Sequence, residues 1–74
     1  MSTRWKPSSG ERYWTVSIEP ADGYAYPARW YGESFDNNVH AFGNCFKTRE
    51  QAEAALERIK QVLLEAHDAY SDRP

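Results

Sequence analysis

The side chains best suited to chemistry are few: one cysteine, Cys45, and two histidines, His40 and His67, in 74 residues. A closed zinc site uses four ligands drawn mostly from Cys and His, so three such donors, two of them far apart in sequence, fall short. Cys45 beside Asn44 can be drawn as a nucleophile with His40 as its base. However, Cys45 is flanked by Phe42 and Phe46, and an apolar cysteine of this kind is ordinarily a small core residue. Both histidines read as structural or surface groups. Gly10, Gly23, Gly32 and Gly43 are spread one per turn, which is hairpin punctuation rather than a phosphate-cradling loop. A chain this short also lacks the bulk to enclose a ligand pocket of about 300–1,000 Å³. The expectation is a non-enzymatic protein with no metal and no cofactor.

Carboxylates offer a different chemistry, that of contact. On a helical wheel Glu50, Glu53, Glu57 and Asp68 share one side with Leu64, roughly opposite the apolar stripe of the same segment. Like charges at i and i+4, as at Glu53 and Glu57, cost a helix a few tenths of a kcal/mol, so local stability does not favour them. The plain reading is a solvated face; the sharper one is an acidic surface for Lys and Arg groups of a partner. Glu33 and Asp36, in a polar segment over residues 32–38, extend the set. The candidate partner-binding residues are therefore Glu33, Asp36, Glu50, Glu53, Glu57, Leu64 and Asp68. A second chemistry is stacking. If Trp14 fills the core, Tyr13, Tyr31 and Trp5 are left on the outer face of the sheet, where rings of this kind serve single-stranded nucleic acid when a basic groove accompanies them. Arg4, Lys6, Arg12 and Arg29 would supply that charge.

These residues need elements to position them. Residues 12–19 alternate, with Trp14, Val16 and Ile18 on one face and Tyr13, Thr15, Ser17 and Glu19 on the other, the period of a half-buried strand. Pro20, Ala21, Asp22 and Gly23 make a hairpin turn. Residues 24–31 return, with Tyr24, Tyr26, Ala28 and Trp30 sharing a face, and Pro27 places this strand at an edge because it has no N–H to donate. A shorter third strand is expected over residues 39–42, broken by Gly43 and Asn44. The clearest element is a helix opening at Thr48, with Gln51 three residues on as a capping box. Ala52, Ala55, Leu56, Ile59, Val62, Leu63 and Ala66 follow at helical spacing. The expected fold is α+β, a three-stranded antiparallel sheet packed on one long C-terminal amphipathic helix. Residues 1–10 form a flexible arm, 11–70 the single domain and 71–74 a frayed tail.

Composition agrees with a folded chain: 41% hydrophobic, 27% charged and 15% aromatic. A domain this small buries only about 60% of its unfolded surface, and large rings compensate because each removes roughly 150–250 Å² from water. Net charge is −2, without the basic excess of a typical nucleic-acid binder. Residues 1–31 carry four basic and three acidic side chains, and residues 32–74 carry five and eight, so the acidic half is the helical half. A lone cysteine rules out an intrachain disulfide. Residues 1–10 have no apolar run of the kind that marks a signal peptide, and no stretch approaches the roughly 20 apolar residues of a membrane span. The expected location is the cytoplasm, with no membrane partner.

The run Gly43-Asn44-Cys45-Phe46-Lys47-Thr48-Arg49-Glu50-Gln51-Ala52-Glu53-Ala54-Ala55 resembles a phrase of small phage and prophage proteins, Gly-Asn-x-Phe-x-Thr-x-Glu-Glu-Ala-Glu, preceded by a hairpin rich in Trp and Tyr. Gln51 departs from the usual Glu, and the capping chemistry survives the change. The resemblance implies a phage or prophage protein, and by analogy with such proteins an inhibitor of bacterial defence of the anti-CRISPR type. Such a protein would act in the cytoplasm of the bacterial host, as a monomer or weak homodimer. It would bind a host complex such as a CRISPR effector and block nucleic-acid binding through its acidic contacts. The alternative is a phage accessory module that binds nucleic acid through the aromatic sheet face and the basic arm, with Arg4, Lys6, Arg12, Tyr13 and Arg29 as its residues.

Overall fold

A computed structural model describes residues 4–19 and 23–71. The turn residues Pro20, Ala21 and Asp22 lie outside the described residues, as do 1–3 of the arm and 72–74 of the tail. The elements in chain order are β1 (Arg12–Ser17), β2 (Tyr24–Arg29), α1 (Ser34–Ala41) and α2 (Arg49–Ser71). β1 and β2 pair antiparallel, with Tyr13 opposite Ala28, Trp14 opposite Pro27 and Val16 opposite Ala25. Gly10 N–H donates to the Trp30 carbonyl at 2.7 Å and Trp30 N–H to the Glu11 carbonyl at 2.9 Å, which carries the pairing past the strand ends. Gly23 closes the hairpin at φ +70°; a Cβ there would meet the Ser17 carbonyl oxygen at 2.8 Å and Leu56 Cδ1 at 2.9 Å.

The architecture is α+β, but the sheet has two strands, not three. The segment expected as a third strand is helical: residues 39–41 belong to α1, and Phe42 is its C-cap. Local hydrogen bonding decides the matter. At the front, Asp36 Oδ2 accepts Glu33 N–H at 3.2 Å, half of a capping box. At the back, Gly43 N–H donates to the His40 carbonyl at 3.0 Å and Asn44 N–H to the Val39 carbonyl at 2.7 Å. With Gly43 at φ +81°, this is a Schellman stop. Gly43 and Asn44 therefore end a helix rather than break a strand.

The free edge of β1 is satisfied in another way. Phe46 and Trp14 exchange N–H to carbonyl bonds at 2.8 Å each. The Asn44 carboxamide mimics the next rung, accepting Val16 N–H at 2.8 Å and donating to the Val16 carbonyl at 2.9 Å. One isolated bridge and one side chain thus do for β1 what a strand would do. Because Trp14 spends its backbone groups on Phe46, its pairing with Pro27 is the non-hydrogen-bonded kind. The missing N–H of Pro27 then falls on the outer edge of β2, where it costs nothing.

β1 consequently has two covered faces. On one, Val16, Ala52 and Leu56 form an apolar cluster against α2, with Trp14, Ala25, Phe46 and Ile59 packed around it. On the other, Tyr13 and Thr15 are fully buried, and Tyr13 meets Trp30 edge-to-face at 6.0 Å. α2 opens as its sequence indicates: Thr48 Oγ1 accepts Gln51 N–H at 3.1 Å, while Gln51 Oε1 accepts Lys47 N–H at 3.2 Å. At 23 residues and about 1.5 Å per residue, α2 far outreaches strands of six residues. Residues 61–71 are exposed throughout.

Candidate functional site

The expected contact residues fall into two groups. Glu50, Glu53, Glu57, Leu64 and Asp68 are all exposed on α2, off the face that Ala52 and Leu56 bury. Glu33 and Asp36 belong to α1, which packs on the opposite side of the sheet through Tyr13. The structure brings the first group together and separates it from the second.

Within the α2 stripe two carboxylates already face cations. Arg49 Nε lies 3.4 Å from Glu53 Oε2, and Lys60 Nζ lies 3.5 Å from Glu57 Oε1. Exposed i,i+3 and i,i+4 pairs of this kind are worth only about 0.3–0.5 kcal/mol, so a partner's Arg or Lys can replace them at small cost. The same residues line an open groove of about 440 Å³ between the start of β2 and α2, shared with Tyr24 and Leu56. Leu64 is 61% exposed within the stripe. A flexible apolar side chain between carboxylates supplies the desolvated centre that a charged contact otherwise lacks.

Asp36 has a different task. It is buried, at 5% exposure, and its oxygens accept Tyr13 O–H at 2.6 Å, Tyr31 N–H at 2.9 Å and Glu33 N–H at 3.2 Å. Burial alone would raise its pKa, but these hydrogen bonds outweigh burial and hold it below the usual carboxylate value. Its partner Tyr13 is pushed well above the ordinary phenol value, first by burial and then by the hydrogen bond and charge of Asp36. The pair ties α1 to β1, and at so little exposure the carboxylate is not presented to an external cation. Glu33, by contrast, is exposed at the N-cap of α1.

The residues named for nucleic acid are also engaged. Tyr13 is fully buried, so it cannot stack a base. Arg4 Nη1 donates to the His40 and Ala41 carbonyls at 3.0 and 3.1 Å, completing the last turn of α1. Arg29 Nη1 donates to the Gly10 carbonyl at 2.9 Å. Each tryptophan carries one cation over its ring: Lys6 on Trp30 at 5.4 Å, Lys47 on Trp5 at 5.7 Å and Arg49 on Trp14 at 5.9 Å. Arg12 is exposed.

The cysteine and histidines take structural places. Cys45 is half-buried, and burial, followed by the nearby charge of Asp36, raises its pKa, which keeps the thiol protonated and a poor nucleophile. His40 Nε2–H donates to the Trp5 carbonyl at 3.1 Å, and its ring stands edge-on to Trp30 at 5.9 Å. His67 contacts Ser71 Oγ at 3.2 Å. Among the described residues no group of three or more His, Cys, Asp or Glu side chains is placed to hold a metal, and no helix is long and apolar enough to cross a membrane.

Fold and surface together define a small α+β domain whose best-organised exposed chemistry is a helix face. No family model matches the chain, and no curated protein or solved structure matches it either.

Proposed function

We propose that the protein is a non-enzymatic binding module that docks the outer carboxylate stripe of α2 onto a basic surface of a larger host complex. The observation that carries this reading is that Glu50, Glu53, Glu57, Leu64 and Asp68 stand exposed along one helix face, with only the exposed pairs Arg49–Glu53 and Lys60–Glu57 engaging the carboxylates of Glu53 and Glu57. Glu33 and Asp36 drop out of the docking set, the first by position and the second because its oxygens are occupied. The resemblance of residues 43–55 to phage and prophage proteins supports a more particular form of the reading, an inhibitor of bacterial defence of the anti-CRISPR type. In that form the stripe competes with nucleic-acid phosphates for the Lys and Arg groups of an effector complex, acting in the host cytoplasm.

Contacts of this kind accelerate association and weaken steeply with salt. The test is a titration of purified CRISPR effector complexes with the protein at low and at moderate ionic strength. Wild type should bind and displace target DNA at low salt, and the double reversal Glu53→Lys with Glu57→Lys should lose that competition by at least tenfold. Unimpaired displacement by the reversed protein would overturn the acidic-stripe mechanism, and absence of any complex at low salt would overturn the effector reading.

A further inference from the structure

The hairpin carries charge of the opposite sign to the stripe. Arg12 of β1 stands directly opposite Arg29 of β2, and both are exposed. Residues so paired share a face of the sheet, with Cβ atoms about 4.5–5.5 Å apart, and like charges in that relation are destabilising. Neither guanidinium is neutralised within the fold. Among the described residues the ion pairs are Arg49–Glu53 and Lys60–Glu57, and neither involves the hairpin. Glu11, next to Arg12 in sequence, spends its Oε1 on the Ser8 N–H at 2.8 Å.

The two arginines are also held in an arrangement. Arg29 Nη1 donates to the Gly10 carbonyl at 2.9 Å, which fixes its fork without cancelling its charge, because a carbonyl is neutral and the guanidinium keeps further N–H donors. The Arg12 side chain has no hydrogen-bond or ion-pair partner among the described residues, so its whole fork is uncommitted. With Pro27 and Ala28 the two side chains line an open hollow of about 180 Å³. Two residues along from Trp14 and Pro27, the Arg12–Arg29 pair is likewise the non-hydrogen-bonded kind. The Arg29 backbone N–H therefore points to the open edge of β2, a further donor beside the two forks.

We infer that Arg12 and Arg29 form a binding site for a phosphate monoester dianion. Charge selects the ligand. Two uncompensated positive charges match the roughly −1.5 to −2 of a phosphate monoester at neutral pH, whereas a carboxylate or a phosphodiester, with one charge, leaves one guanidinium unmatched. Each fork offers parallel N–H donors in the geometry that phosphate oxygens accept. The hollow is open, so the site grips the phosphoryl group and leaves the rest of the ester in solvent. Binding also relieves the repulsion between the two arginines, so the ligand stabilises the fold by linkage. Exposure to water and salt keeps the affinity low, in the millimolar range. None of these residues belongs to the α2 stripe, and the site does not depend on the docking proposed for that stripe.

Titration of the isotope-labelled protein with inorganic phosphate, followed by nuclear magnetic resonance at constant ionic strength, tests the site. Adenosine monophosphate serves as the ester probe, and acetate and chloride as singly charged controls. The Nε–H signals of Arg12 and Arg29 and the amides of Ala28 and Arg29 should shift saturably with both phosphates and barely with the controls. Thermal unfolding should move to higher temperature in phosphate than in chloride. Arg12→Gln removes a side chain that the fold does not use. It should weaken phosphate binding about tenfold, the loss of one set of hydrogen bonds to a charged group. The ligand-free variant should be no less stable than wild type, because the like-charge pair is gone. Arg12→Lys keeps the charge without the fork and should bind between wild type and Arg12→Gln. Acetate binding as tightly as phosphate, adenosine monophosphate failing to saturate the same signals, or either Arg12 variant binding phosphate like wild type would each overturn the inference.

Discussion

The two faces of β1 are held by different physics. Toward α2 the contact is apolar: Val16 on Ala52 and Leu56, with Trp14 and Phe46 at its rim. Its strength follows area, at roughly 25 cal/mol per Å² removed from water, and no single atom decides it. Toward α1 the contact converges on one carboxylate, Asp36, which joins Tyr13, the Tyr31 backbone and its own helix start. A helix of eight residues is too short to be stable alone, so α1 exists by virtue of that hub, the Schellman stop at Gly43 and the Arg4 side chain at its end. One face fails gradually when perturbed. The other fails at a point.

The largest effect should come from breaking that point. Asp36→Ala leaves the Tyr13 hydroxyl and two backbone N–H groups without an acceptor, and lost hydrogen bonds to a buried charge cost about 3 kcal/mol together. A domain of this size has little more than that to lose, so urea unfolding should show a greatly lowered midpoint. Asp36→Asn keeps the shape and should cost less. The pH dependence carries the same signature. The folded pKa of Asp36 is lowered, so its stabilisation is complete above the unfolded value near 3.9 and is lost as pH falls through the lower folded value. For Tyr13 the folded pKa is raised, so its contribution is complete below about pH 10 and declines as pH rises beyond that. Urea titrations of wild type below about pH 4 should show the acid loss, and Asp36→Asn should flatten it. An unchanged acid slope in that variant would remove Asp36 from the hub.

The apolar face has one position where a small change is still severe. A methyl at Gly23 would lie 2.8 Å from the Ser17 carbonyl oxygen and 2.9 Å from Leu56 Cδ1, on a backbone at φ +70°. Leu56 can turn aside, but a backbone oxygen in the hairpin cannot. Gly23→Ala should therefore cost about 2 kcal/mol, the positive φ and the clash together, with no change in the acid slope. If it instead altered the acid limb, the two faces would be coupled more tightly than their separate contacts imply.

Much of the apolar face is legible in the sequence, and little of the α1 face is. Alternation placed β1 and β2, and the Thr48 cap with the stripe from Ala52 placed α2, because each rests on a period repeated several times. α1 has no such support. Phe35, Val39 and Phe42 do stand at helical spacing, yet Phe35 and Phe42 are 49% and 91% exposed, and the buried residue is the carboxylate between them. A short run such as Val39, His40, Ala41 and Phe42 reads equally well as a strand. The start signal, Glu33 with Asp36 three residues on, uses acids in place of the commoner Ser or Thr. Without α1 to cover it, the alternation puts Tyr13 on an outer face and leaves Asp36 to a partner. The α2 stripe, by contrast, could be read from the wheel alone, since nothing covers it.

The smallest expected effect has the opposite sign and tests whether the α1 face needs its polarity. Thr15 is fully buried beside Tyr13, and its Oγ1 finds no hydrogen-bond partner among the described residues. A buried hydroxyl without a partner costs about 1 kcal/mol or more. Valine keeps the β-branch that suits a strand and the volume of the site, and removes only the hydroxyl. Thr15→Val should accordingly stabilise the protein by about 1 kcal/mol, raising Tm by roughly 4–8 °C for a domain of this length. Calorimetry would read this directly. A gain would mean that the α1 face is polar at Asp36 alone and otherwise packs like its counterpart. A loss would mean that a buried water bridges Thr15 to the hub, and the contrast between the two faces would then extend along two residues of β1 instead of one.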